Sequence, residues 1–222
     1  MIAIIDYGVG NLFSLQSSLR YLGEDVEVTS DPDKIRKADR IILPGVGAYE
    51  DAAAKLRSSG MAEIVMEQAK TGKPLMGICL GMQLLLEKSY EYGEHEGLGL
   101  IKGTVVPIEG AAPKGYKIPH IGWNALQLKR DESGRADKLF KYINDGDYVY
   151  FVHSYYATDC AASVIADTEY GAMLTAAVAN GNVYGCQFHP EKSGDVGMRI
   201  LKAFCEIQTD CEGQIDGEEA GK

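Results

Sequence analysis

The chain is short of positive charge. Lys and Arg number 22 against 32 Asp and Glu, for a net charge of −10, so no basic stripe is available to neutralise phosphates and no nucleic-acid partner is expected. Long apolar runs are missing too: none approaches the ~18 residues that a membrane span needs, so no membrane is expected. The opening "MIAIID" reaches an acid within six residues and does not resemble a signal peptide. The five cysteines, at 79, 160, 186, 205 and 211, are odd in number and include no CxxC. A disulfide framework and a cysteine zinc site are therefore not expected, and no metal or cofactor is called for. Reduced thiols point to the cytoplasm.

What the chain does have is a rhythm. Its 222 residues suit one domain with a full core and are short for two. "MIAIID" reads as a buried strand, and Leu12, Leu15, Leu19 and Leu22 follow helical spacing up to Gly23. "DVEVTS" alternates as a second strand. A short helix follows, with Ser30 or Asp31 as cap and Pro32 in its first turn. "RIILPG" is a third strand, and residues 48–72 are helical with a break near Gly60. "KPLMGIC" is a fourth strand running into the helix "LGMQLLLEKS". This βαβα order predicts an open, mainly parallel sheet flanked by helices.

The second half reads differently. "GLGLIKGTVVPI", "GWNALQLK", "YVYFVHSYYA" and "VYGCQFH" are strand-like with few helices between them, which predicts an antiparallel extension of the sheet. "DVGMRILKAFCEIQ" is a closing helix. One domain over 1–209 is expected, followed by an acidic, disordered tail over 210–222.

Two segments carry candidate chemistry. In "PLMGICLGMQ", Gly77 and Gly81 stand two positions either side of Cys79, at a strand-to-helix bend. In an open parallel sheet, ligands bind outside the carboxyl ends of the strands. A nucleophile raised there on a sharp turn needs small neighbours, as in G-x-S-x-G elbows. The following helix start favours negative charge and offers free N–H groups to an oxyanion. The alternative is a core cysteine between packing glycines. In "VYGCQFHPEKS", His189 precedes Pro190, which biases it to extended backbone, and Glu191 lies two residues on, on the same side of an extended chain. A thiol nucleophile needs such a base, and the base needs an orienting partner. The alternative is a polar strand end. His95, in the polar "YGEHEG", reads as a solvated loop residue. "GVGN" (8–11) follows a strand as a dinucleotide fingerprint would, but Phe13 holds the third glycine position. A turn beside the site or the partner fits better.

"GICLGMQ" together with "QFHPEKS" resembles the class-I, triad-type glutamine amidotransferases, over about residues 1–209. The resemblance implies a single-domain α/β fold and a catalytic triad of Cys79, His189 and Glu191. The reaction would be hydrolysis of glutamine to glutamate and ammonia through a cysteinyl thioester, with no cofactor. The implied oxyanion hole is the backbone N–H of Leu80 and that of Val46 in "PGVG". The implied glutamine contacts are Gly47, Gln83, Glu91, Ser154 and Tyr155. From sequence alone, without the resemblance, Glu91 reads as a solvated acid at the end of the helix after the elbow, and "PGVG" as an ordinary strand exit.

"DYGVGNLFSL", "LPGVGAY", "KIPHIGWN" and "FVHSYY" narrow the resemblance to the branch that serves histidine biosynthesis. That branch implies a heterodimer with a separate (β/α)₈-barrel cyclase subunit. The cyclase would use the ammonia to make imidazole glycerol phosphate and an aminoimidazole carboxamide ribotide. It would face Trp123, Asn124 and Lys192. Trp123, the only tryptophan, reads as well as a core residue. His120 and His153 gain no role from this reading. The alternatives are a glutaminase serving another synthase, such as that of pyridoxal phosphate, a cysteine peptidase or thiol-stress protein of similar fold, and an inactive scaffold.

Overall fold

Four consecutive apolar residues, Ile2–Ile5, make β1, buried on both faces. Ile2 and Ile4 join one core cluster with Leu15, Leu19 and Phe204; Ala3 and Ile5 join another with Ile35, Leu56 and Val65. This alternation places β1 in the middle of a sheet covered on both sides. The computed structural model of the chain describes residues 1–209. The acidic tail expected at 210–222, with Cys211, lies outside the described residues.

From β1 the chain runs through α1 (Leu12–Tyr21), β2 (Val26–Thr29), α2 (Pro32–Lys37) and β3 (Arg40–Gly45). It continues through α3 (Tyr49–Ser58), α4 (Met61–Ala69), β4 (Leu75–Cys79) and α5 (Leu80–Leu85). All four strands pair in parallel. Asp31 caps α2 by accepting from the Asp33 N–H at 2.9 Å, with Pro32 at the first helical position. Gly60, at φ +75°, makes the expected break between α3 and α4.

The second half supplies β5 (Lys88–Ser89), β6 (His95–Glu96), β7 (Thr104–Pro107), β8 (His120–Leu128) and β9 (Tyr148–His153). After these come β10 (Tyr155–Thr158), β11 (Val164–Glu169), β12 (Met173–Asn180), β13 (Val183–Cys186) and α6 (Gly194–Glu206). Among the described residues, nine strands form one sheet in the order β2-β1-β3-β4-β13-β12-β11-β8-β9. The extension is antiparallel beyond β13, as expected. A second sheet, β10-β7-β5-β6, is not foreseen by the sequence. Ser154 is where the chain leaves β9 in the large sheet and enters β10 in the small one.

Several boundaries differ from expectation. The strand expected at "YVYFVHSYYA" is split at Ser154 into β9 and β10, and the one expected at "VYGCQFH" ends at Cys186. The helix after the elbow ends at Leu85, because Leu86 turns extended and the chain enters the small sheet at β5. "GLGLIKGTVVPI" yields a strand only over Thr104–Pro107. No helix among the described residues is long and apolar enough to cross a membrane.

Candidate active site

Cys79 ends β4 and precedes α5 with φ +54° and ψ −112°. Positive φ at a residue with a side chain is strained and persists only where the surroundings enforce it. The enforcement comes from close backbone contact. A Cβ at Gly81 would run into the Leu43 carbonyl oxygen. One at Gly77 would lie 2.6 Å from the Gly81 oxygen, and one at Gly45 would lie 2.6 Å from the Gly81 nitrogen. The first turn of α5 is thus laid directly on the ends of β3 and β4. That answers why bulk is absent on both sides of the cysteine. With only six residues, α5 brings a smaller dipole than the longer helix expected from sequence.

His189 lies just beyond β13, extended at φ −101° and ψ 98°. Its Nδ1 is 2.9 Å from Glu191 Oε1, and both side chains are only 3% exposed. The sequence places Glu191 on an extended strand end; in the structure Pro190 instead starts a 3-10 turn over Pro190–Lys192. The fixed φ of proline suits the first position of that turn, which curls the carboxylate back under the ring. Burial alone would push the His189 imidazole down. The Cys79 sulfur and the Glu191 carboxylate outweigh it and push it up to about 9.

A pocket of about 640 Å³ opens over this pair. Cys79, Leu80 and His189 line its floor, and Val46 and Gly47 form the "PGVG" side. Gln83, Glu91, Ser154 and Tyr155 line it as well, so every expected glutamine contact comes together. Glu91 lies past the end of α5, in the loop between β5 and β6, not on the helix as expected. It is no solvated acid either: its Oε2 accepts from the Tyr49 N–H at 2.7 Å, at the start of α3. Gln83 donates to the Tyr155 carbonyl at 3.1 Å and to Gln187 Oε1 at 3.0 Å.

Several residues at the site escape the sequence reading. Gln187 is fully buried and points its Nε2 at Cys79 Sγ, at 3.9 Å. Its signal is the spacing of two from His189. The Val152 carbonyl also faces Sγ at 3.9 Å. Tyr92, Glu109, Ile118 and Pro119 add to the wall; Ile118 and Pro119 belong to the "KIPHIGWN" segment, whereas no motif marks Tyr92 or Glu109. The "GVGN" turn sits beside the site: a Cβ at Gly10 would meet Pro44 at 3.1 Å, and Tyr7 Oη donates to the Pro44 carbonyl at 2.8 Å.

The residues expected to face a partner fall at the mouth of the site or on the adjacent edge of the sheet. Lys192 is exposed and lines the pocket. Trp123, on β8, is 51% exposed and packs edge-on to Tyr150, which removes the core reading. Asn124 is half-buried beside it. His95 departs from expectation: its Nε2 is buried without a partner, near the Tyr49 ring. Cys160, Cys186 and Cys205 are buried, Cys186 as expected for the core. Among the described residues, no group of three or more His, Cys, Asp or Glu could hold a metal ion.

The chain is similar in sequence and in fold to known proteins. The family Glutamine amidotransferase class-I matches residues 3–207. The imidazole glycerol phosphate synthase subunit HisH of Caldanaerobacter subterraneus is 51% identical, over 93% of this chain and 98% of its own. That of Wolinella succinogenes is 47% identical, over 93% and 100%. Two solved structures share the fold. PurLQS from Thermotoga maritima has a TM-score of 0.71 at 21% identity, covering 92% of this chain and 96% of its own. A glutamine amidotransferase has 0.69 at 18%, covering 92% and 100%. The chain belongs to the class-I glutamine amidotransferases and, within them, to the HisH subunits of imidazole glycerol phosphate synthase.

Proposed function

We propose that this chain hydrolyses L-glutamine to glutamate and ammonia and hands the ammonia to a cyclase subunit in histidine biosynthesis, in the cytoplasm. One observation carries the chemistry. A cysteine held at positive φ on a strand end shares a pocket with an imidazole that it and a buried carboxylate raise to about 9.

In this reading Cys79 gives its proton to His189, and its sulfur attacks the carboxamide carbon. The carbonyl electron pair moves to oxygen, where the N–H groups of Leu80 and Val46 receive it. Collapse breaks the C–N bond, and His189 protonates the leaving ammonia, which leaves a γ-glutamyl thioester. His189 then takes a proton from water. The resulting hydroxide attacks the thioester, the C–S bond breaks to release glutamate, and His189 returns its proton to the leaving sulfur, which restores the thiol. Glu191 fixes the imidazole tautomer and stabilises the imidazolium. Glu91 faces the substrate ammonium, with Gly47, Gln83, Ser154 and Tyr155 holding the rest of the amino-acid end.

Free ammonia is protonated at neutral pH and then has no nucleophilic lone pair, which favours direct delivery to a synthase. The partner proposed is a (β/α)₈-barrel cyclase that docks on Trp123, Asn124 and Lys192. It would convert a phosphoribosyl-formimino precursor to imidazole glycerol phosphate and an aminoimidazole carboxamide ribotide. Support comes from the relatives, named as subunits of that synthase, and from the exposed Trp123. Docking would bias the "PGVG" peptide toward the oxyanion, a population shift in which Lys192, beside Glu191, takes part.

The test is glutaminase activity of the chain alone, and with the cyclase and its ribonucleotide, beside Cys79→Ala. Strong stimulation that Cys79→Ala abolishes is the expected result. Activity indifferent to the cyclase would sink the partner assignment, and none under any condition would sink the chemistry.

A further inference from the structure

Two histidines that the hydrolysis does not use lie buried side by side. His120 opens β8 and His153 closes β9, and they face each other in the antiparallel register. Their rings belong to one hydrogen-bonded chain. His153 Nδ1 is 2.8 Å from the Tyr155 carbonyl, and His153 Nε2 is 3.0 Å from His120 Nδ1. His120 Nε2 is 2.8 Å from Asn124 Oδ1, and Asn124 Nδ2 donates to the Glu169 carbonyl at 2.8 Å.

Both ends of this chain have a fixed polarity. A carbonyl oxygen only accepts, so His153 Nδ1 must carry a hydrogen. The Glu169 carbonyl needs the Asn124 nitrogen, since a flipped amide would set two oxygens against each other. Asn124 Oδ1 then faces His120 and requires a hydrogen on His120 Nε2. Two neutral rings have now placed both their hydrogens on the outer links, which leaves two lone pairs opposed at 3.0 Å. Only a third proton closes the middle link. The complete chain is therefore a cationic pair.

The surroundings decide which ring holds the charge. Burial pushes His153 down to about 3, the Tyr155 carbonyl only partly opposing it, and His120 and His189 disfavour a cation there too. Burial lowers His120 as well, with Asn124 opposing. The His120 ring is stacked between Tyr170 at 3.9 Å and Phe151 at 4.9 Å, faces that attract a cation. The titratable groups facing the pair are Tyr170 over His120 and His189 beyond His153. Glu169 gives the chain only its backbone carbonyl. No carboxylate is hydrogen-bonded to either ring among the described residues.

The inner end reaches the pocket, because the Tyr155 carbonyl also accepts from Gln83. The outer end reaches the surface, where Asn124 borders a groove of about 360 Å³ with Tyr148, Glu169 and Tyr170.

We propose that His120 and His153 are positioning residues for glutamine: as a protonated pair they tie β8 to the Tyr155 carbonyl and hold the Ser154–Tyr155 wall of the pocket in place. The closed chain binds the third proton and the open one does not, so the wall is held at low pH and loosens as pH rises through the His120 titration. The glutamine role rests on the glutaminase reading; the proton count does not.

Two measurements test it. In the ¹⁵N-histidine-labelled full chain, NMR from pH ~8 to ~5 is expected to show His120 gaining hydrogens on both nitrogens while His153 keeps its single hydrogen on Nδ1. A His153 hydrogen on Nε2, or a His120 that stays singly protonated throughout, would overturn the pair. The second is the KM for glutamine against pH in the complex with the cyclase, for wild type, His120→Gln and His120→Ala. The glutamine NH₂ has two donors and no charge, so it can serve both acceptors without a third proton. Wild-type KM should rise roughly threefold to tenfold through the His120 titration, the scale of one hydrogen bond, with kcat not following it. His120→Gln should hold KM flat, and His120→Ala should hold it high. A His120→Gln profile identical to wild type would overturn the positioning role. If no variant, wild type included, turns over glutamine, the glutaminase reading and this pocket role fall together, and the NMR result alone judges the pair.

Discussion

His189 and Glu191 meet at 2.9 Å across one 3-10 turn, and the second carboxylate oxygen, Glu191 Oε2, is buried with no hydrogen-bond partner. A carboxylate so placed is committed to the imidazole. Glu191→Gln keeps the shape and removes the charge that supports an imidazolium. Its kcat is expected to fall by ~10²–10⁴, with KM changed much less. Steady-state glutaminase kinetics in the stimulated complex check this, and a loss under about threefold would remove Glu191 from the triad.

The Cys79 sulfur, and after it this Glu191 contact, link stability to pH through His189. His189 is raised from its ordinary 6.5 to about 9 in the folded chain. The stabilisation is therefore fully present below pH 6.5 and is lost as pH rises through 9. Urea unfolding of the wild type should lose up to ~3 kcal/mol across that window on this account. In Glu191→Gln the loss should shrink, because one of the groups that raise the imidazole is gone. Parallel curves for the two proteins would contradict the coupling.

Glycine 81 is a matter of space. Its missing Cβ is where the Leu43 carbonyl lies, whereas a Cβ at Gly110 meets nothing within 4 Å. Gly81→Ala should cost more than ~2 kcal/mol and remove activity, while Gly110→Ala should stay within ~0.5 kcal/mol. Thermal unfolding and circular dichroism of the two variants decide it.

The parallel half of the fold is legible in the sequence because its signals are local. Apolar strands, Leu12–Leu15–Leu19 spacing, Asp31–Pro32 at a helix start and Gly60 at a break each act within a few residues. The proposed triad is legible for a related reason: Gly77–Cys79–Gly81 and His189–Pro190–Glu191 are short motifs shaped by backbone geometry. What stays hidden depends on pairing at a distance. β5 and β6 are two residues long and exist only by pairing with each other and with β7, so the early end of α5 and the place of Glu91 are not visible in advance. Gln187, His120 and His153 acquire meaning only when β8, β9 and the segment after β13 come together.

Trp123 is 51% exposed and contributes little to the chain's own core. Trp123→Ala should leave the stability of the isolated chain within ~1 kcal/mol and weaken its affinity for the cyclase by about tenfold or more. Calorimetric titration measures the second effect and urea unfolding the first. An unchanged Kd would take Trp123 out of the proposed interface.

The most direct test of the central claim is to acid-quench the stimulated complex during glutamine turnover and measure the mass of the Cys79 peptide. A γ-glutamyl group is expected to build up on Cys79 within a turnover, with none on Cys160, Cys186 or Cys205. Glutamine consumed at full rate with Cys79 never modified, or turnover that survives Cys79→Ala, would contradict the claim.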